Sequence, residues 1–268
     1  MPYKNPIPQL DNETKNIINE SESDYTPMNE VYFAFIDVLG FKKTFDNIKI
    51  SKEENVAQKY QNVFNYYFSL MNVAKFMERG KSTGCYAGQT SDSLYFYTER
   101  TDYLLQFLKI FSHFNLYAMS QDVFFRGGIA KGKLYKKEKY QFYGDCVIGA
   151  YLLESNISKN PIVIIDEKTH SDMSGISEYD KLICTDKGRH YIKPFEYLHK
   201  RWNLDIEENF ILNKIDNGQI KANIQENKNA FEYDANTYSK YMFLLEEFKN
   251  SEDRLVNEAT KEVTNDAK

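Results

Sequence analysis

The sequence predicts an α+β fold with the βαββαβ order of ferredoxin-like domains and additions at its C-terminal end. Three observations carry that reading. An apolar, β-branched and aromatic run, "VYFAFID" (31–37), is followed by a long stretch with apolar residues at three- and four-residue spacing. Two further strand signals, "SLYFY" (93–97) and "VFFRGGIAKGKLY" (123–135), flank a second such stripe. A third helical pattern at 144–156 leads into the short apolar strand "PIVIID" (161–166). Strand, helix, two strands, helix, strand is close to the split βαβ order.

Each element has its own reason. The first 28 residues hold four prolines and many Asn, Glu and Ser side chains. They bury too little apolar surface to offset ordering entropy, so residues 1–28 read as a flexible arm. "VYFAFID" is a buried strand and "DVLGF" its exit, with Gly40 at the bend. From 52 to 78, Val56, Tyr60, Val63, Tyr67, Met71 and Ala74 line one face of a long helix. "AGQTSD" (87–92) reads as a turn before the strand at 93–97, and Leu104, Phe107, Leu108, Phe111 and Phe114 trace a helix over 102–116. In 123–135, Gly132 reads as a break between two strands. Asp145 starts the helix at 144–156. "RHYIKPFEYL" (189–198) is expected at a sheet edge, because Pro194 cannot donate to a ladder. A last helix spans 237–251 and residues 252–268 read as a disordered tail, leaving 29–251 as one domain without internal repeats.

Composition narrows the function classes. The chain has 268 residues, 42% of them hydrophobic and 15% aromatic, enough for a sizeable core. A formal charge of -5 without a basic run argues against a general nucleic-acid footprint, while leaving room for a local anion site. No run approaches a membrane span, and "MPYKNPIPQLDNETKN" lacks signal-peptide order, so the cytoplasm is the expected location. Cys85, Cys146 and Cys184 are odd in number and lack CxxC spacing, which supports neither a disulfide framework nor a zinc knuckle. The histidines at 113, 170, 190 and 199 show no metal-ligand spacing either.

Chemistry is most plausibly sited at Asp37 and Asp92, each at the mouth of an apolar strand beside turn residues. A carboxylate there is costly unless it is paired or holds a metal. Two carboxylates on adjacent strands offer hard oxygen ligands to divalent cations, and turn amides after the first strand can cradle phosphate. The alternative is that each Asp caps a turn or helix, the commoner role of an isolated strand-end Asp.

Four segments in order resemble class III nucleotide cyclases. "FIDVLGF" resembles their first metal-binding segment, and "TSDSLYFY" their hairpin with the second metal carboxylate. "FFRGGIAKGKLY" is similar to their strand–turn–strand, and "FYGDCVIGAYLLES" to their following helix; together these span residues 31 to about 166. The resemblance implies two Mg²⁺ or Mn²⁺ ions per site on Asp37 and Asp92, with the carbonyl of Ile36 or Val38 as a further ligand. It also implies a phosphate cradle at Leu39, Gly40 and Phe41, and a homodimer with each site across the two-fold interface. The family's ribose- and phosphate-steadying Asn and Arg fall at Ile148 and Leu152, and the purine-selecting Lys and Asp of the adenylyl enzymes at Gly88 and Gln141.

The same segments look like the divergent cyclases of bacterial Pycsar antiphage systems, which make cyclic UMP or cyclic CMP and signal to a separate effector. Missing purine-reading charges suit UTP or CTP, with UTP favoured by the resemblance. Attack of the ribose 3'-hydroxyl on the α-phosphorus would release pyrophosphate. Arg126 becomes the leading cation for the developing charge, with Lys131 and Lys133 behind it, and Gln141 and Tyr143 are candidates for the base pocket. Each has an ordinary reading beside it: a paired strand arginine for Arg126, packing for Tyr143. The competing functions are a non-catalytic nucleotide-sensing or scaffold domain, and a polymerase-like palm, which this acidic chain leaves without a basic template channel.

Overall fold

The computed structural model describes residues 26–42, 50–73, 85–138, 141–196 and 215–266. The elements in chain order are β1 (Thr26–Val38), α1 (Ile50–Val73), β2 (Cys85–Thr90), β3 (Ser93–Thr98), α2 (Thr101–Ser120), β4 (Phe125–Glu138) and β5 (Gln141–Tyr143). Then come α3 (Asp145–Leu152) with a π-helical turn (Leu153–Ile157), β6 (Val163–Ile165), α4 (Glu167–Met173), α5 (Ser177–Leu182), β7 (Ile183–Asp186) and β8 (Arg189–Ile192). Two helices, α6 (Asn217–Ala230) and α7 (Ala235–Asp266), follow.

One sheet carries the strand order β2-β3-β1-β4-β6-β8-β7, with β5 paired to β4. Its first four strands are mutually antiparallel and in the ferredoxin-like order, so the α+β, βαββαβ expectation is met. β6 adds parallel to β4, and β8 pairs with both β6 and β7. β1 is buried on both faces, which is why its sequence is nearly continuous in apolar residues. Tyr32, Ala34, Ile36 and Val38 face the core under α1 and α2, whereas Val31 and Phe33 face a second cluster with Tyr95, Tyr97 and residues of α3.

Several boundaries differ from the sequence reading, each for a physical reason. β1 starts at Thr26, inside the span expected to be a flexible arm, because it pairs there with Lys136 and Tyr135. "CYAGQT" is a strand rather than a turn: a Cβ on Gly88 would stand 2.4 Å from the Tyr95 ring, so the glycine makes room for the cross-strand tyrosine. Gly132 is no break, since β4 runs through it with Gly132 opposite Val31. Glycine is required there by the approach of α3, for a Cβ would lie 2.5 Å from Asp145 Oδ1. β8 is not an edge strand; it ends at Ile192, two residues short of Pro194, and β7 is the outer neighbour.

The C-terminal helix continues past 251 to Asp266, for "ANTYSKYMFLLEEFKNSEDRLVNEATKEVTND" contains neither Gly nor Pro to stop it. Residues 1–25, 74–78, 197–198 and 267–268 of the predicted arm, helix, strand and tail lie outside the described residues. Among the described residues no helix is long and apolar enough to cross a membrane.

Helices α6 and α7 are fastened to one end of the sheet. Ile220, Ile224, Tyr241, Leu244 and Phe248 pack with Leu116, Met119 and Phe124, and Leu39 at the exit of β1 joins them. Asn223 donates from Nδ2 to the carbonyls of Met119 (2.8 Å) and Ser120 (3.1 Å), satisfying the open end of α2.

β4 and α3 approach very closely: a Cβ on Gly128 would sit 2.2 Å from the Ala150 carbonyl oxygen. Gly128→Ala is expected to destabilise the protein by about 1–3 kcal/mol in urea unfolding with an unchanged m-value. Unaltered stability would mean that α3 does not pack against β4 this closely.

Candidate functional site

The site grows from the end of β1. In the ladder Asp37 pairs with Ser93 of β3 on one side and with Arg126 of β4 on the other. Ser93 Oγ donates to Asp37 Oδ1 at 2.9 Å. Asp92 belongs to the two-residue turn between β2 and β3, whose first residue, Ser91, has φ +56°. After Val38 the chain bends through Gly40 at φ +77°. A Cβ there would meet nothing within 4 Å, so backbone conformation rather than crowding calls for glycine.

Acidic groups outnumber the cation at this corner. Asp37, half-buried, is pushed above the usual carboxylate range chiefly by burial and further by the charge of Asp92; the Ser93 hydroxyl and the Arg126 guanidinium oppose the shift. Glu154, on the π-helical turn and 3% exposed, is also pushed up, first by burial and further by Asp37, with Arg126 opposing. Arg126 Nε lies 2.6 Å from Glu154 Oε1, a charge contact outside hydrogen-bond geometry. Arg126 is thus shared by the Asp37 and Glu154 carboxylates, while Asp92 adds a second negative charge beside Asp37, and a divalent cation would offset the repulsion of that pair.

Asp37 and Asp92 open into a cleft of about 610 Å³. One wall is Val38, Leu39, Gly40 and Phe41, the exit of β1. Other lining residues were not anticipated from the sequence: Lys59 of α1, Asp122 before β4, Asn227 of α6, Phe231 just after it, and Lys240 and Tyr241 of α7. Among the described residues no group of three or more His, Cys, Asp or Glu side chains is placed to hold a metal. Cations here would rely on two carboxylates plus phosphate oxygens, the usual manner of Mg²⁺ in nucleotide sites. The donor set fits that chemistry, since it is all oxygen and lies at the mouth of a polar cleft.

The predicted residues divide accordingly. Asp37, Asp92, Arg126, Leu39, Gly40 and Phe41 meet in the cleft. The Leu39 amide, however, donates to the Phe124 carbonyl at 2.8 Å, so it is spent in the fold and does not cradle phosphate. Ile36 does not line the cleft, because it sits within the ladder between Leu94 and Gly127 with its side chain in the core; Val38 does line it. Gln141 and Tyr143 are not in the lining either, and Tyr143 stacks on Tyr135 at 5.1 Å, as β5 folds back along β4.

Lys131 and Lys133 stand opposite Tyr32 and Glu30, five and seven positions from Arg126 and on the other face of the sheet. Lys131 is bound there to Asp172 at 2.7 Å. Glu154 was missed as well; its signal was its place in "LLES", one turn after a helix that packs on glycines. His170 and His190 stack on each other at 3.6 Å far along the chain from these residues, and His199 lies outside the described residues.

The sequence matches no known family profile and no curated protein. Among solved structures it is similar to the monomeric guanylyl cyclase domain of the RhoGC fusion protein from the aquatic fungus Blastocladiella emersonii, at 15% identity and a TM-score of 0.45, over 63% of this chain and 96% of that one. It is also similar to the catalytic core of a rhodopsin-guanylyl cyclase with converted specificity in complex with ATPαS, at 14% identity and a TM-score of 0.43, over 63% and 97%. Likenesses of this size assign no role to any residue.

The Arg126–Glu154 contact makes a separable prediction. Glu154→Leu leaves the guanidinium without its partner and is expected to cost about 1–3 kcal/mol, discounted because the Arg126 side chain is 27% exposed. Adding Arg126→Met is expected to restore much of that loss in the same denaturant titration. Strict additivity of the two changes would show that the pair is not coupled.

Proposed function

We propose that this protein is a nucleotidyl cyclase that turns a pyrimidine nucleoside triphosphate into its 3',5'-cyclic nucleotide with release of pyrophosphate. The product is cyclic UMP ahead of cyclic CMP. The observation that carries the reading is the meeting of Asp37, Asp92 and the Gly40 turn in one cleft of nucleotide size. A cap role for each Asp does not account for their convergence on one cleft. When bound, divalent cations held by Asp37 and Asp92 supply charge neutralisation on the phosphates and acidify the attacking 3'-hydroxyl.

The chain's own residues do the rest. Ser93 fixes the Asp37 carboxylate through its hydrogen bond, so the ligand oxygens are oriented before substrate arrives. The bend at Gly40 and Phe41 lines the cleft where phosphate oxygens would lie. Arg126 lines the same cleft and meets the charge that develops on the α-phosphate, with Glu154 holding its Nε in place. Pyrimidine choice is supported by the sequence resemblance, in which the purine-reading charges are replaced by Gly88 and Gln141. A role as an antiphage second-messenger enzyme, signalling to a separate effector, rests on the sequence resemblance of the four segments.

The exposed face of α3 supports a homodimer. Ile148 is 61% exposed, Tyr151 53% and Leu152 46%, a ridge of apolar side chains directly preceding the Glu154 turn. Ile148 and Leu152 stand where the resemblance puts Asn and Arg. Solvent-facing apolar residues there suit contact with a second copy rather than phosphate chemistry. Ile148→Asp is accordingly expected to shift the protein to monomer in analytical ultracentrifugation and to lower turnover, whereas a dimer unmoved by it would place the interface elsewhere.

The decisive assay is turnover with ATP, GTP, UTP and CTP together at equal concentration with Mn²⁺, read by chromatography. A cyclic pyrimidine nucleotide is expected to dominate. Asp37→Ala and Asp92→Ala are each expected to lower its formation at least about 10²-fold while the fold persists by circular dichroism. Wild-type rates in both would sink the assignment of the two carboxylates. Nucleotide binding with no turnover of any of the four would instead favour the non-catalytic sensing domain.

A further inference from the structure

We propose that Lys59 and Lys240 form a polyphosphate-binding wall of the cleft, which makes α6 and α7 part of the substrate site. The inference deepens the nucleotide reading given above and rests on it for the identity of the ligand. It concerns cleft-lining residues beyond the carboxylate pair, Lys59 of the core helix α1 and Lys240 of the added helix α7.

The cleft carries charge of both signs. Asp37 and Asp92 line it together with Lys42, Lys59 and Lys240, which come from the exit of β1, from α1 and from α7. A ligand that satisfies both must bring cations to the carboxylates and anionic oxygens to the lysines. A metal-bound chain of phosphates does so, and the volume of about 610 Å³ has room for a nucleoside besides.

The wall is held in place from behind. Lys59 Nζ contacts the carbonyl oxygen and Oδ2 of Asp122, both at 3.2 Å. Asn227 Nδ2 donates to the other carboxylate oxygen of Asp122 at 2.6 Å. Asp122 itself has φ +57°, a conformation that Asp and Asn tolerate better than most residues. This carboxylate therefore joins α1 to α6 and positions the lysine at the cleft, at the cost of neutralising part of its charge. Beside Lys240, the buried Tyr241 packs edge-on against Phe124 at 5.3 Å and parallel to Phe231 at 6.1 Å. Those contacts fix the rotation of α7, and so the place of Lys240, through the cluster that also contains Leu39 of the β1 exit. Phosphate suits lysines in this setting, as compact charges that accept several oxygen arrangements.

The test is calorimetric binding of inorganic tripolyphosphate with Mg²⁺ to the full chain at low ionic strength. Wild type is expected to bind, and Lys59→Ala and Lys240→Ala each to weaken binding about tenfold. Asp122→Asn, which removes the competing charge and keeps a side chain suited to φ +57°, is expected to tighten binding several-fold, a sign that mere structural damage would not produce. Lys249→Ala, elsewhere on α7, is the unchanged control, and Lys59→Gln and Lys240→Gln replace the alanine variants if either loses its thermal transition. Absence of wild-type binding, or equal affinity in all variants, overturns the wall. Turnover separates the two readings. Cyclic nucleotide formation alongside unaltered tripolyphosphate binding discards the wall alone, and a lysine-dependent tripolyphosphate site without turnover keeps the wall and discards the cyclase.

Discussion

The rest of the site depends on one electrostatic constraint: a half-buried carboxylate, Asp37, at the end of a strand buried on both faces. Burial disfavours its charge, and nearby Asp92 disfavours it further. The sheet register then supplies what is needed, Ser93 on one flank and Arg126 on the other. Arg126 in turn brings Glu154 to the same corner, and Glu154 reaches it because the π-helical turn after α3 lies against the glycines of β4. Gly128 and Gly132 thus let a helix approach closely enough to bring an acidic side chain to Arg126. A π-turn at this point agrees with the tendency of such turns to occur at functional sites.

The second organising feature is that the cleft has two owners. The βαββαβ core contributes the carboxylates, the bend at Gly40 and Lys59 of α1, while α6 and α7 contribute Asn227, Lys240 and Tyr241. The cluster that joins Leu39, Phe124 and Tyr241 ties the two halves together. A displacement of α7 would therefore be felt at the exit of β1, and the C-terminal helices are well placed to bear on what the cleft accepts.

Much of this was legible in the sequence, and the reasons for the gaps are local. "VYFAFID" read correctly as a buried strand because both of its faces are covered, leaving no polar alternation to confuse it. Asp37 and Asp92 could be singled out because carboxylates ending apolar strands are costly, and they do share a cleft. "CYAGQT" was misread because glycine and glutamine lower strand propensity, whereas the fold uses Gly88 to seat Tyr95. Gly132 looked like a break for the same reason: sequence shows the missing side chain and hides the neighbour that requires its absence. Arg126 was found without its partner, since Glu154 lies 28 positions away and only the β4–α3 contact reveals it. Tyr143 and Gln141 were assigned by resemblance to a pocket that β5 does not line. The proposed lysine wall had no sequence signal, because Lys59 and Lys240 come from two helices far apart in the chain, and no local pattern encodes their meeting at one cleft.

The central claim is that Asp37 and Asp92 jointly hold divalent cations against a nucleoside triphosphate. Diffraction at the manganese absorption edge, from crystals grown with Mn²⁺ and a 3'-deoxy pyrimidine triphosphate that cannot cyclise, addresses it directly. The account predicts anomalous peaks within coordination distance of both carboxylates, with the phosphates in the same cleft. Bound nucleotide elsewhere, or Asp37 and Asp92 each engaged only with their own turns while Mn²⁺ is absent from between them, would contradict it.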